Sequence, residues 1–286
     1  MSSIAHPPAD LGQVVGPAVK SVKADLAIVP QRPRGAGVVH LVTQLALWVL
    51  SLAAVYWSMI PVGYWLTLIF SVPTAFLTVR IFILQHDCGH GSFFPSNKWN
   101  TWVGSVLGML VLTPYHTWKR QHATHHAHNG NLDHRGIGDI DTATIREYMA
   151  MPRGRRFLYR LYRHPIVLFG IGPIYQFAIA QRFINTIPKS WKKERRNVWM
   201  TNVILLLATA AILWLVDWRV IVMLYMPVMA VAASVGVWLF YVQHQFNPTY
   251  WEQGENWDYH TAAVDGSSHY DLPRWLHWLT ANIGYH

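Results

Sequence analysis

Residues 64–90 read YWLTLIFSVPTAFLTVRIFILQHDCGH. The first part, Tyr64–Leu84, is apolar apart from Arg80 near its end, and it has about the 20 residues that a helix needs to cross a hydrocarbon core. The second part, Gln85-His86-Asp87-Cys88-Gly89-His90, turns polar at once and sets two histidines four positions apart. If the helix carries on past the bilayer boundary, His86 and His90 share one of its faces. A membrane helix ending in paired imidazoles is the unit from which the remaining chain takes its meaning.

Three further stretches have the same length and apolarity: Leu41–Met59, Val198–Val216 and Val220–Val242. Short links, at Pro61 and Gly63 and at Asp217–Trp218–Arg219, join the four stretches in pairs, so two helical hairpins are expected. Trp99–Pro114 and Ile166–Ala180 are shorter, about 22 Å as helix, and are expected to be interfacial or partly inserted. With only the hairpins spanning, the tail, the central region and the C-terminal region share one side. Of 23 Lys and Arg, only Arg219 falls on the other. The positive-inside rule makes the bulky side cytoplasmic.

Composition agrees. Hydrophobic residues make up 52% of the 286-residue chain and charged residues 13%, against about 25% charged in soluble domains. The 15 Trp suit membrane interfaces. The net charge of +9 follows the inside-facing loops, which argues against a nucleic-acid partner and for a bilayer surface. A single cysteine, Cys88, excludes a disulfide within the chain and an iron–sulfur cluster of its own. Residues 1–40 read as a flexible, proline-containing tail without a signal-peptide stretch, and 41–286 as one membrane domain.

The 16 histidines are unevenly placed. After His86 and His90 comes His122-Ala-Thr-His125-His126, where spacings of three and four put His122 on one helix side with His125 and His126. His244 stands at the end of the fourth apolar stretch, and His286 at the end of the sequence. By the topology above all four positions emerge on one side of the bilayer. Imidazole is a common ligand of Zn, Fe, Cu and Ni, so a metal site is expected there, with the metal left open by the residues themselves. His6, His40, His164 and His277 read as satisfied polar residues. His116, His128, His134, His260 and His269 are open between supporting and surface roles.

These residues resemble a known family. His86-Asp-Cys-Gly-His90-Gly-Ser-Phe and His122-Ala-Thr-His125-His126 are similar to the first and second histidine boxes of the membrane fatty acid desaturases. Tyr241-Val-Gln-His244-Gln-Phe resembles the additional histidine motif after the fourth span. Gly266–Pro273, His277-Trp278 and Asn282-Ile-Gly-Tyr-His286 resemble the approach to the third box. The flavour is the bacterial and plastid acyl-lipid type, delta-12 or omega-6. The third box has the form His-x-x-His-His, and the sequence reaches only its first histidine, so the domain is expected to be cut short within that box.

The resemblance implies an all-α integral membrane protein: four transmembrane helices in two hairpins, under a cytosolic His-rich helical cap. It implies two iron ions held by His86, His90, His122, His125, His126, His244 and His286. It also implies an O2-dependent oxidoreductase that removes two hydrogens from neighbouring methylenes of an acyl-chain lipid. Electrons would come from a separate small redox protein of ferredoxin or cytochrome type. Three alternatives remain beside desaturation: a lipid hydroxylase or ketolase on the same scaffold, an inactive truncated relative, and a His-rich metal carrier. Near-absence of charge inside the spans speaks against the carrier.

Overall fold

A computed structural model of the protein describes residues 35–59 and 64–285. Of the tail expected over 1–40, residues 1–34 lie outside the described residues, as do the link at Pro61 and Gly63 and His286, while residues 36–40 belong to the first helix instead, where apolar side chains such as Val38 and Val39 begin. The chain is helical: α1 (Ala36–Ser58), α2 (Tyr64–His90), α3 (Asn97–Leu110), α4 (Tyr115–His128), α5 (Ile145–Ala150), α6 (Arg153–Tyr162), α7 (Lys192–Leu215), α8 (Trp218–His244), α9 (Tyr259–Asp265) and α10 (Arg274–Leu279). Between α6 and α7, residues 167–182 form π turns on either side of Gly172–Ile174 and end in a 3₁₀ turn. Among the described residues, the β pairing consists of an isolated bridge between Asn131 and Glu252.

Four helices, α1, α2, α7 and α8, are long and apolar enough to cross a membrane. They begin or end up to six residues outside the expected stretches, as at Lys192 rather than Val198. The reason is that a helix keeps its hydrogen bonds beyond the point where its side chains stop being apolar. This surplus matters at α2. Its 27 residues give about 40 Å of helix against a core of about 30 Å, so the His86–His90 end stands clear of the hydrocarbon. The 27-residue α8 reaches the same level with His244.

Helix α2 is central. Half of its most apolar window is buried in protein, against 11% for α7. One core cluster joins α1, α2 and α3 through Trp48, Ile81, Leu84, Val103 and Leu107. A second joins α2 to α8 and to the segment before α10 through Val79, Ile83, Leu239 and Leu272. Polar groups between α1 and α2 are paired, as they must be where water is absent. Trp48 Nε1 donates to Thr78 Oγ1 (3.0 Å) and Arg80 Nε to Gln44 Oε1 (2.6 Å). The Arg80 guanidinium also lies 4.4 Å over the Trp278 ring, linking α2 to α10.

The second pair of long helices differs in detail from the expected hairpin. Val216 and Asp217 make the short turn, yet α7 and α8 take different main partners: α8 packs along α2, while α7 packs on α4. The polar start of α7 explains its choice. Glu194 pairs with Arg120 of α4 (3.1 Å), and Thr117 of α4 donates to Glu194 O (2.9 Å). Beyond Thr201, side chains such as Leu206 and Trp214 are exposed, a surface suited to lipid. The two shorter apolar segments fall below spanning length: α3 has 14 residues and lies along α2, and residues 167–174 lie against α8 while 180–182 touch α7. The chain is thus an all-α integral membrane protein with a helical cap above its long helices.

Candidate metal centre

Helices α2 and α4 approach through aromatic packing. A Cβ at Gly89 would lie 2.8 Å from the Trp118 ring, so glycine is what lets the indole press flat on α2. Trp118 in turn stacks on His122, with centroids 4.7 Å apart and planes 17° apart. Trp118 and His122 are four apart on one helix face, a signal present in the sequence that the histidine pattern overshadowed.

This contact brings together four imidazoles. His122 Nε2 lies 3.0 Å from His86 Nε2, 3.1 Å from His90 Nε2 and 3.0 Å from His126 Nε2. His86 and His90 are 3.2 Å apart at the same atoms. A ligand atom from each of the four residues falls within 4.8 Å of every other. One ring nitrogen has one proton or one lone pair, so His122 Nε2 cannot satisfy three such neighbours by hydrogen bonding. A shared cation can. With an imidazole nitrogen about 2.1 Å from a divalent first-row ion, ligands at right angles stand about 3.0 Å apart.

His126 fits that role electrically. Burial, then the neighbouring His125, His90, His86 and His244, push its pKa down to about 3, so the ring is neutral and its lone pair available at cellular pH. His86 Nδ1 faces Asp87 Oδ1 at 3.2 Å, the arrangement that leaves Nε2 to a ligand.

The remaining two described candidates form a second group. His125 Nε2 lies 3.3 Å from His244 Nε2, across 119 positions of sequence. His125 Nδ1 is bonded to Asp139. Phe240, one turn before His244 on α8, sits 5.1 Å from the His125 ring and 4.9 Å from His244. The cavity beside them, also lined by Asn129, Ile140 and Trp251, holds about 10 Å³, room for a single small species. The two groups adjoin, with the His125 and His126 rings 5.5 Å apart.

The second box thus splits. His122 and His126 face α2, and His125 faces α8, because adjacent residues on a helix point in different directions. Spacing alone had put all three on one side. The last described turn, Ile283–Tyr285, is tied to the end of α8 by Gln243 Nε2 donating to Ile283 O (2.5 Å). Asp139, Phe240, Gln243 and Trp118 had not been singled out; Trp118 and Phe240 stand four positions from His122 and His244 on their own helices and Gln243 is next to His244, whereas Asp139 reaches His125 only because the loop after α4 turns back.

Other histidines go elsewhere. His277 Nε2 accepts from Leu272 N (3.0 Å) and His164 Nδ1 from Ile166 N (3.3 Å), as satisfied polar residues do. His128 and His134 face each other, with centroids 5.1 Å apart. An open cleft of about 590 Å³ lies apart from the six imidazoles, against α5 and α6, with Arg135, Glu147, Arg155 and Tyr159 in its wall.

Sequence comparison agrees with the geometry. A Bacillus subtilis (strain 168) protein named fatty acid desaturase is 46% identical over 225 residues, which are 79% of this chain and 63% of that protein. The sn-1 acyl-lipid omega-3 desaturase (ferredoxin) of Synechocystis is 29% identical over 192 residues, 64% of this chain and 52% of that protein. The sn-1 oleoyl-lipid 12-desaturase of Anabaena variabilis is 24% identical over 253 residues, 85% of this chain and 69% of that protein. The chain therefore spans less than two thirds of the length of the first two relatives. The profile of the fatty acid desaturase family matches residues 61–286, a stretch that contains both histidine groups, and the chain belongs to that family.

Proposed function

We propose that the protein is a membrane desaturase that introduces a C=C bond into the acyl chain of a lipid. The observation that carries this reading is the convergence of six Nε2 atoms into a group of four and an adjoining pair at the C-terminal ends of three helices. His86, His90, His122 and His126 would hold one iron. His125 and His244 would hold the second, with His286, whose approach is bound to the end of α8 through Gln243. When bound and reduced, such a pair supplies activation of dioxygen, which abstraction from an unactivated C–H bond requires and which redox-inert zinc cannot give.

The chain's own residues prepare the site. Trp118 packs on His122, and Phe240 packs on His125 and His244, so aromatic surface lies against both groups. Asp87 and Asp139 take the Nδ1 side of His86 and His125, so Nε2 is the atom that each would offer to a metal. Electrons would arrive from a separate ferredoxin- or cytochrome-type protein, since Cys88 alone cannot build a cluster. The Synechocystis relative bears ferredoxin in its name. The positive-inside bias of the cap side favours the cytoplasm as the compartment of the histidines.

The test is mass spectrometry of total acyl chains from cells expressing the full-length protein. A new double bond is expected, and its position defines the regiochemistry. A hydroxyl or keto product would replace desaturation with oxygen insertion. No new product from protein present in the membrane, with donor and lipid supplied, would refute the reading.

A further inference from the structure

The loop after the second box is built around a carboxylate. Arg135 Nη1 donates to Thr142 O (3.0 Å), which ties the two ends of residues 135–142 to each other. Gly136 N donates to Asp139 Oδ2 (3.1 Å), which ties the loop's interior to the same side chain. Arg135 also pairs with Glu147 of α5, whose capping box with Thr144 holds the following turn. The loop is thereby closed on itself before it touches anything else.

Its outward contacts go to the pair of histidines. Asp139 Oδ1 accepts from His125 Nδ1. A carboxylate only accepts, so the His125 proton is on Nδ1 and the Nε2 lone pair points at His244. Both partners are nearly covered, with side-chain exposures of 2% for His125 and 13% for Asp139. Thr142 Oγ1 donates to Gln245 Oε1 (3.2 Å), and Arg163 Nη2 donates to the same oxygen (3.1 Å). Gln245 directly follows His244, at the residue where α8 stops.

Gly138 sets the depth of the loop. Its φ of +80° lies in the left-handed region, and an added Cβ would stand 2.9 Å from Gln121 O and 3.3 Å from His125 Cβ. The loop backbone therefore rests directly on the helix that carries His125. In the group of four the carboxylate at His86 Nδ1, Asp87, is instead the sequence neighbour of His86 and is 39% exposed.

We propose that the 135–142 loop is the positioning element of the second histidine pair, with Asp139 holding the tautomer and heading of His125. This rests on the two-metal reading above. Asp139 sits on the far edge of the His125 ring from Nε2 and acts through it, as a positioning residue. Removing such a partner typically weakens metal affinity about 10- to 100-fold. The loss is expected to fall on the second metal, because the loop's contacts go to His125 and to Gln245 beside His244.

The experiment is anaerobic Fe(II) titration of the full-length, metal-stripped protein in detergent, wild type against Asp139→Ala and Asp139→Asn. Wild type is expected to bind two equivalents. Asp139→Ala is expected to bind the first with unchanged affinity and the second about 10- to 100-fold more weakly. Asp139→Asn can still accept from Nδ1–H and is expected to lie between them. Helix content by circular dichroism reports the fold. If Asp139→Ala does not fold, the near-isosteric Asp139→Asn decides, and wild-type affinity for both equivalents in that variant overturns the proposal. Two equivalents held as tightly by Asp139→Ala as by wild type overturn the positioning role and leave the two-metal reading intact. Fewer than two equivalents in wild type overturn both.

Discussion

The two histidine groups are built in opposite ways. Two pairs in the group of four, His86 with His90 and His122 with His126, and the supporting pair Trp118 with His122, are each four apart on one helix. Helical geometry alone delivers each pair, and one helix–helix contact unites them. The His125–His244 pair is not joined by any short spacing: 119 positions separate its members, and Phe240, one turn before His244, packs on both. It depends on α8 packing along α2, on the end of α8 being held through Gln245, and on a loop that turns back to His125. A site made from local spacing survives small shifts of the fold. A site made from distant segments inherits every error in their placement.

The sharpest way to break this contrast is to remove a ligand from each group. His122→Ala deletes the nitrogen shared by three neighbours and is expected to abolish acyl desaturation with loss of about one metal equivalent. His244→Ala is expected to abolish product as well, while the equivalent held by the four remains. Metal analysis of the purified variants checks both, and a lost first equivalent in His244→Ala would show the groups to be one.

A smaller effect is expected from Gly89→Ala. The new methyl would meet Trp118 at 2.8 Å and push it off His122, an overpacking cost of about 1–3 kcal/mol. Thermal unfolding should fall and the first equivalent bind less tightly, with the second unchanged. Unaltered binding of the first equivalent would remove Trp118 from the account of the group of four.

The mildest probe is acid. Hydrogen bonding from Arg135 first, then from the Thr144 backbone, holds the Glu147 carboxyl at about 2, below its ordinary 4.5. A carboxyl depressed in the folded protein stabilises above the unfolded value, and that contribution disappears as pH falls from about 4.5 toward 2. Amide protection in residues 135–147, corrected for the intrinsic slowing of exchange in acid, is expected to fall across this window ahead of protection at α2. Glu147→Gln should show the lowered protection already at neutral pH. Equal exchange in the variant and wild type would detach the loop from this ion pair.

Much of the molecule was legible because its physics is local. The length and apolarity of Tyr64–Leu84 determine that the segment crosses, whatever it packs on, since a bilayer satisfies no backbone group outside a helix. Spacing of four determines that His86 and His90 share a face. The sequence by itself therefore determined the four long helices, the shared face of His86 and His90, and the chemistry those rings offer. Only the tertiary structure decided that His125 parts from His126 to meet His244, that α7 takes α4 as its main partner, and that Asp139 stands behind His125. The reason is that each of these depends on which distant segments touch. A residue's spacing reports its face on its own helix, while the partner opposite that face is chosen by packing of the whole chain.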